Sequence, residues 1–247
     1  MLMQPLAPNA RRATTSNVKY IPPPARGWNA RDDLSDMHED EAITLDNLIP
    51  QDSGVKTRFG HIEWATGIGA PAASLMEYSD PAGTLELFAA TATDIYDVTV
   101  QGAVGSAVVS SLSNGDFQHT LFATSGGTFL IAVNGADGVL SYDGTDWDTE
   151  AITGATAENL ITVTPHISRL WFIEDDSMKV WYLPALSIAG SATAIDFGGL
   201  SRLGGKLMAM ASWTRDSGTG IEDLAVFITS RGEVNVFDST EPSYADT

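Results

Sequence analysis

From about residue 54 onward, short runs of apolar and β-branched residues alternate with turns rich in Gly, Asn, Asp and Ser. That pattern predicts strands. No window in this stretch carries the i, i+3, i+4, i+7 stripe of an amphipathic helix. One unit recurs: an apolar strand, a polar turn, then a second strand with an aromatic residue near its end. Four copies are visible, at 87–98, 129–143, 170–183 and 224–238. Their turns fall at 91–94, 134–138, 174–177 and 230–233, and their closing aromatics are Tyr96, Tyr142, Tyr182 and Phe237. These aromatics are 46, 40 and 55 residues apart, close to the roughly 40–50 residues of a four-stranded propeller blade. Segments 117–123, 160–163 and 207–214 supply further strands before the second, third and fourth copies.

A single small sheet cannot bury both of its faces, so such units must stack. The expected fold is therefore all-β: β-propeller-like repeats of antiparallel hairpins with an extended N-terminal arm. Propellers hold roughly four to eight blades, and the chain stops at Thr247 soon after a strand. The expectation is an incomplete propeller, either part of a longer protein or a ring completed by something else. An irregular β-sandwich is the other arrangement that short, evenly spaced strands fit.

The N-terminal quarter is different. Residues 1–27 are rich in Pro, Ala, Arg and Thr, and Pro22, Pro23 and Pro24 impose a short extended segment; this is read as an arm outside the folded core. Residues 28–53 form a connecting segment, and 54–247 the propeller-like domain. Within the connector a short helical turn is expected near 34–40, with Asp33 or Ser35 as its N-cap.

Charge sharpens this division. The net charge is −19, yet residues 1–31 hold Arg11, Arg12, Lys19, Arg26 and Arg31 and no acid, leaving −24 on the rest. An acidic body repels nucleic acid, whose binding relies on Lys and Arg neutralising phosphates. A basic arm on such a body suits docking on an acidic neighbour, although acidity also simply keeps a large surface soluble. There are no cysteines, which excludes disulfides and thiolate metal sites. No apolar run approaches the roughly 20 residues of a membrane helix. No apolar block follows the twin Arg11–Arg12, so no export signal is expected.

The search for chemistry yields little. His38, His61, His119 and His166 lie far apart, with no metal-ligand spacing between any pair. There is no nucleophile elbow, P-loop or dinucleotide fingerprint, and no cofactor or small-molecule substrate is expected. Asp143, Asp146 and Asp148 offer alternating oxygens that suit calcium, and Ser141, Asp143, Gly144 and Trp147 approach the S-x-D-x-G-x-x-W hairpin of some sialidase-like propellers, one residue short. A hairpin turn explains the same residues more economically, since calcium needs six or more ligands. Glu174, Asp175 and Asp176 read as a solvated turn. Trp171, Trp181, Tyr182 and Trp213 are either a sugar platform or core; their apolar surroundings favour core.

One ordered set of segments carries a resemblance. Gly27, Asn29, Arg31 and Asp32 spell G-x-N-x-R-D; Leu45, Asp46 and Asn47 follow; Gly54, Arg58 and Gly60 complete G-x-x-x-R-x-G. With later segments at 133–138, 142–145, 213–216 and 227–230, this set resembles the tail nozzle proteins (tail tubular protein B-like) of short-tailed bacteriophages and related prophages. Asp33 stands where that pattern more usually has proline. The resemblance implies a non-enzymatic virion protein of the tail, assembled in the host cytoplasm. It implies a six-fold ring below the head–tail adaptor, propeller-like domains, contacts with tail fibres or spikes, and DNA passing without sequence-specific binding. Acidic walls suit such a conduit, because they repel phosphate over about 8–10 Å at ordinary salt. Arg11, Arg12, Lys19, Arg26, Trp28 and Arg31 are the residues expected at a subunit or adaptor interface, with the arm ordering on assembly. The alternatives are a propeller module that recognises glycan or protein on a cell surface, and a propeller enzyme acting on sugars.

Overall fold

The computed structural model describes residues 20–216 and 221–237, with the side chains of Asp216, Ile221 and Glu222 left aside. The chain divides into two units, 1–62 and 63–247. The described residues form strands and one 3₁₀ turn, Ala157–Asn159. The fold is all-β, as the alternation of apolar runs and turns predicts.

Unit 2 is built from antiparallel meanders in chain order. The first sheet joins Ser74–Ser79, Leu85–Ala90, Asp94–Asp97 and Val109–Ser110. The second joins Gln118–Thr124, Gly127–Val133, Val139–Tyr142 and Trp147–Glu150. The third joins Leu160–His166, Arg169–Glu174, Lys179–Tyr182 and Thr193–Asp196. The fourth joins Leu207–Asp216, Ile221–Thr229 and Val234–Phe237. All four expected hairpins are present, each as the second and third strands of one sheet. A strand at 74–79, which the repeat pattern did not single out, completes the first sheet. Ile152–Thr153 pairs in parallel with Gly190–Ser191, and Ala65–Thr66 with Gly102–Ala103, so the first and third sheets carry matching accessory pairs.

Why the sheets stack follows from the second strand of each. Successive side chains on a strand point to opposite faces, and here both faces are apolar. Leu130 and Ala132 pack into the core between the first and second sheets, while Ile131 and Val133 pack into the core between the second and third. Leu170 and Phe172 share that second core, while Trp171 and Ile173 enter a third, with Ala225 and Phe227 of the fourth sheet. Eight consecutive-pair residues of these two strands are thus almost wholly excluded from water. Each large one contributes about 1.5–3 kcal/mol by burial. The closing aromatics divide: Tyr142 and Tyr182 are buried, whereas Tyr96 and Phe237 are half-buried.

Turns lock each sheet to the start of the next. The Gly135 amide donates to the Leu160 carbonyl and the Leu207 amide to the Ser177 carbonyl. Asn134, nearly buried, donates from Nδ2 to the Asn114 carbonyl (3.0 Å) and to Asp137 (2.7 Å), while Asn114 returns a bond to the Asn134 carbonyl (3.1 Å). Asp137 in turn accepts the Ser113 amide at 2.8 Å. Gly135 has φ +71°, and a Cβ there would meet Ile161 at 2.7 Å, so only glycine fits this turn.

Unit 1 has a parallel bridge between Gly27–Trp28 and Glu41–Ala42 and a hairpin of Leu48–Gln51 with Gly54–Thr57. That hairpin spans the 53/54 boundary drawn from composition. The expected helical turn near 34–40 does not propagate: Met37 closes one turn on the Asp33 carbonyl, and the segment continues without helix. Asp36, Glu39 and Asp40 supply no apolar stripe to anchor one.

Two substitutions probe the stack. Phe172→Ala removes a fully buried ring between the second and third sheets and is expected to cost about 3–5 kcal/mol in denaturant unfolding. Gly115→Ala places a Cβ against the Thr91 carbonyl and is expected to cost about 1–3 kcal/mol, with the loss read in the same unfolding curve.

Candidate functional site

The expected interface residues fall into two groups. Arg11, Arg12 and Lys19 lie outside the described residues. Arg26, Trp28 and Arg31 lie together on unit 1, around the parallel bridge.

Asn29 organises this corner. Its Nδ2 donates to Asp32 (2.9 Å) and Glu41 (2.8 Å), and its Oδ1 accepts the amides of Arg31 and Asp32. Glu41 also accepts the His38 amide at 3.1 Å. Arg31 pairs with Asp32 at 3.0 Å and Arg26 with Asp40 at 3.2 Å, while His38 Nδ1 lies 3.1 Å from Asp40. Gly27, at φ +90°, makes the turn that brings the proline segment onto this bridge. Trp28 donates Nε1 to the Ile43 carbonyl at 3.0 Å, yet its side chain stays 68% exposed. Shallow hollows flank it. One of about 360 Å³ is lined by Trp28, Ile43, Thr44, Leu45 and Asp46. The other is lined by Trp28, Asn29, Ala30, Arg31, Asp32 and Glu41.

The second half of the quoted sequence set forms its own clamp. Asn47, in the left-handed region at φ +59°, receives the Arg58 amide on its carbonyl and the Arg58 guanidinium on its side chain. Residues that are eleven apart in sequence therefore meet as a unit. Sequence reasoning named Arg26, Trp28 and Arg31 but missed Asn29, Asp40 and Glu41 as their partners. The legible signal was an asparagine two residues before an Arg-Asp pair, the usual composition of a side-chain-capped turn.

Electrostatically this corner is a set of fixed charges. The bond from Arg31, then that from Asn29, holds the Asp32 carboxyl below its ordinary range; Asn29 and the His38 amide do the same for Glu41. Both remain ionised at neutral pH, so neither serves there as a general acid.

Unit 2 offers other candidates. Asp143 accepts the amides of Thr145 (2.8 Å) and Asp146 (2.9 Å), which makes 143–146 a side-chain-stabilised turn. No group of three or more His, Cys, Asp or Glu among the described residues is placed to hold a metal ion. Of the aromatics read as core, Trp171 and Tyr182 are buried and Trp181 is half-buried, donating to Glu174 at 3.2 Å. Trp213 departs from that reading: it is 59% exposed, because it lies on the outer face of the fourth sheet. His166 was not singled out by its sequence context. It is buried between the third and fourth sheets, with Nδ1 2.6 Å from Ser212 Oγ. Burial pushes its imidazole pKa down against the nearby Asp223 charge. In a hydrolase triad the other ring nitrogen holds the serine and Nδ1 meets a carboxylate; here Nδ1 faces the serine and Nε2 is enclosed without a hydrogen-bond partner. Finally, Phe88, Tyr142 and Trp147 pack at mutual centroid distances of 4.8–5.4 Å and, with Asp97 and Asp146, line a cleft of about 330 Å³.

No family model, curated protein or solved structure matches the chain.

Asn29→Asp would set a third carboxylate against Asp32 and Glu41. Hydrogen exchange is expected to rise across 27–42 while the strands of unit 2 keep their protection. Acid should act on the same corner. The folded pKa values of Asp32 and Glu41 lie below their ordinary 3.8 and 4.5. Their stabilising contribution is thus complete above those ordinary values and lost as pH falls through the depressed ones. Protection factors in 27–42, which correct for the slowing of intrinsic exchange in acid, are expected to fall at that acid edge before those of unit 2 do.

Proposed function

We propose that this chain is a structural subunit of the tail nozzle of a short-tailed bacteriophage or related prophage, part of a ring-shaped conduit for DNA ejection attached below the head–tail adaptor. The observation that carries this reading is the make-up of unit 1. Its described residues include the first segments of the nozzle resemblance, and those segments build two polar clamps, Asn29–Asp32–Glu41 and Asn47–Arg58. Yet no apolar side chain among them is buried: Trp28, Ile43, Phe59 and Ile62 all lie exposed. A segment that buries so little apolar surface does not offset the entropy of its own ordering. It gains that burial against another subunit, which is the role the nozzle reading assigns to it.

In this reading the stacked sheets of unit 2 belong to a propeller. The basic arm with Arg11, Arg12 and Lys19, together with Arg26, Trp28 and Arg31, engages an adjacent acidic subunit or the adaptor. The chain acts in the virion tail, and the acidic body keeps DNA from adhering as it passes. Tail fibres or spikes are further partners.

A binding module is the second reading. It is favoured by the cleft beneath Phe88, Tyr142 and Trp147, where aromatic faces stand beside two carboxylates, a combination suited to glycan.

Native mass spectrometry and negative-stain microscopy of the purified chain separate the two. The nozzle reading expects six-fold rings with a central channel, lost on Trp28→Ala. A monomer that is retained on a glycan array, and released by Trp147→Ala, would overturn it.

A further inference from the structure

The four described sheets of unit 2 repeat one arrangement, and among the described residues two of their faces pack against no neighbouring sheet. In each of the first three sheets, one face packs against the sheet that follows: Phe88 and Ala90 of the first, Ile131 and Val133 of the second, Trp171 and Ile173 of the third. The opposite face packs against the sheet before: Leu130 and Ala132, Leu170 and Phe172, Ala225 and Phe227. By the same alternation the following face of the fourth sheet presents Ala211 beside Val226 and Val236, and Ile228 beside Val234, with Trp213 on the same strand face as Ala211. On this face Trp213 is 59% and Ile228 43% exposed, and Val234 and Val236 lie open as well, whereas Leu224, opposite Trp213, is buried and Val226 half-buried. The rows from Ala209 to Trp213 hold no charged side chain, in a chain of net charge −19. An uncharged apolar face of this kind marks an interaction surface.

The first sheet's complementary face is only partly covered: Ala89 is buried on it, and Leu87 and Tyr96 are half-buried. Leu75 and Leu85 are 57% and 65% exposed, and they share that face with Leu87. This sheet also carries the accessory pair Ala65–Thr66 with Gly102–Ala103, matching the pair in the third sheet whose Ile152, with the adjoining Ala192, packs into the second-to-third core. The first sheet thus shares an accessory pair with the third, and in the third sheet that pair borders an interface. The acids on this face of the first sheet, Glu77 and Asp94, would meet no acid in the rows opposite.

We propose that the following face of the fourth sheet docks the preceding face of the first sheet of a second copy of this chain, continuing the stack across the molecular boundary. The contact is head-to-tail, so it closes where rotation permits. The inference does not rest on the nozzle reading.

Light scattering behind a sizing column, run on the full chain, tests it. Wild type is expected to self-associate, more strongly as salt screens the two acidic bodies. Ile228→Asp and Leu75→Asp, both at exposed positions, should each give a monomer with unchanged circular dichroism and thermal midpoint. Mixing the two variants should restore a two-copy species, because one carries an intact first-sheet face and the other an intact fourth-sheet face. A wild type that stays monomeric at high protein and high salt would overturn the proposal. So would an oligomer, six-fold or other, that ignores both substitutions, which would leave the nozzle reading standing. So would association broken by Ile228→Asp alone, which would signal like-with-like contact of fourth sheets.

Discussion

Burial on both faces of a single strand is the constraint on which the rest of unit 2 depends. Leu130 and Ile131 are neighbours in the chain, yet they belong to different cores. The same holds for Leu170 and Trp171. A strand of this kind has no solvent side to relax toward. Its register is fixed twice over, because a one-residue slip would exchange the contents of two interfaces at once. Small residues share these cores with large ones: Ala90, Ala132 and Ala225 are each fully excluded from water. The stack then accounts for where polarity goes. Backbone groups at sheet ends cannot be left unpaired beside such cores, and Thr91, Asn134 and Thr229 are buried polar residues at the ends of second strands for that reason. Each fixes the turn that follows it.

Much of this was legible in the chain. A run such as 129–133, apolar at every position, excludes a half-exposed strand and requires cover on both sides. The polar turns and closing aromatics then set where each hairpin begins and ends. The strand at 74–79 was harder to read, because its apolar residues Leu75, Met76 and Tyr78 are interrupted by Glu77 on the outer face. Trp213 was misassigned to the core by a local argument. Its neighbours on the strand are apolar, but strand alternation alone cannot say which face of the last sheet is covered, and that depends on how many sheets follow. The His166–Ser212 contact was likewise invisible, since it joins residues of two sheets through a packing that no sequence spacing encodes.

Unit 1 reverses the balance of forces. It is organised by Asn29, Glu41, Asn47 and Arg58, through hydrogen bonds and ion pairs at exposed positions, where each is worth little. The sequence marked this region through its Gly, Asn and Arg-Asp residues, but it marked them as a motif and not as a network, because Asp40 and Glu41 come from the other side of a bridge of two residues per strand. Reading the network required the parallel pairing of Gly27 with Glu41.

The acidity of the chain and the apolarity of its last sheet are two sides of one problem. An open stack of sheets with two apolar faces leaves apolar end faces, and such ends invite indiscriminate pairing. Shortening or charging them would also remove the means of continuing the stack. A chain of net charge −19 offers another solution. Repulsion between bodies acts over about a Debye length and disfavours random encounters. Direct burial acts only at contact, and only between faces whose relief matches. Like charge outside and apolar surface at the ends thus select for a specific neighbour over a casual one. The same logic explains why the acids gather in turns and edge positions such as 143–148 and 174–176, leaving the two middle strands free of charge through their apolar runs.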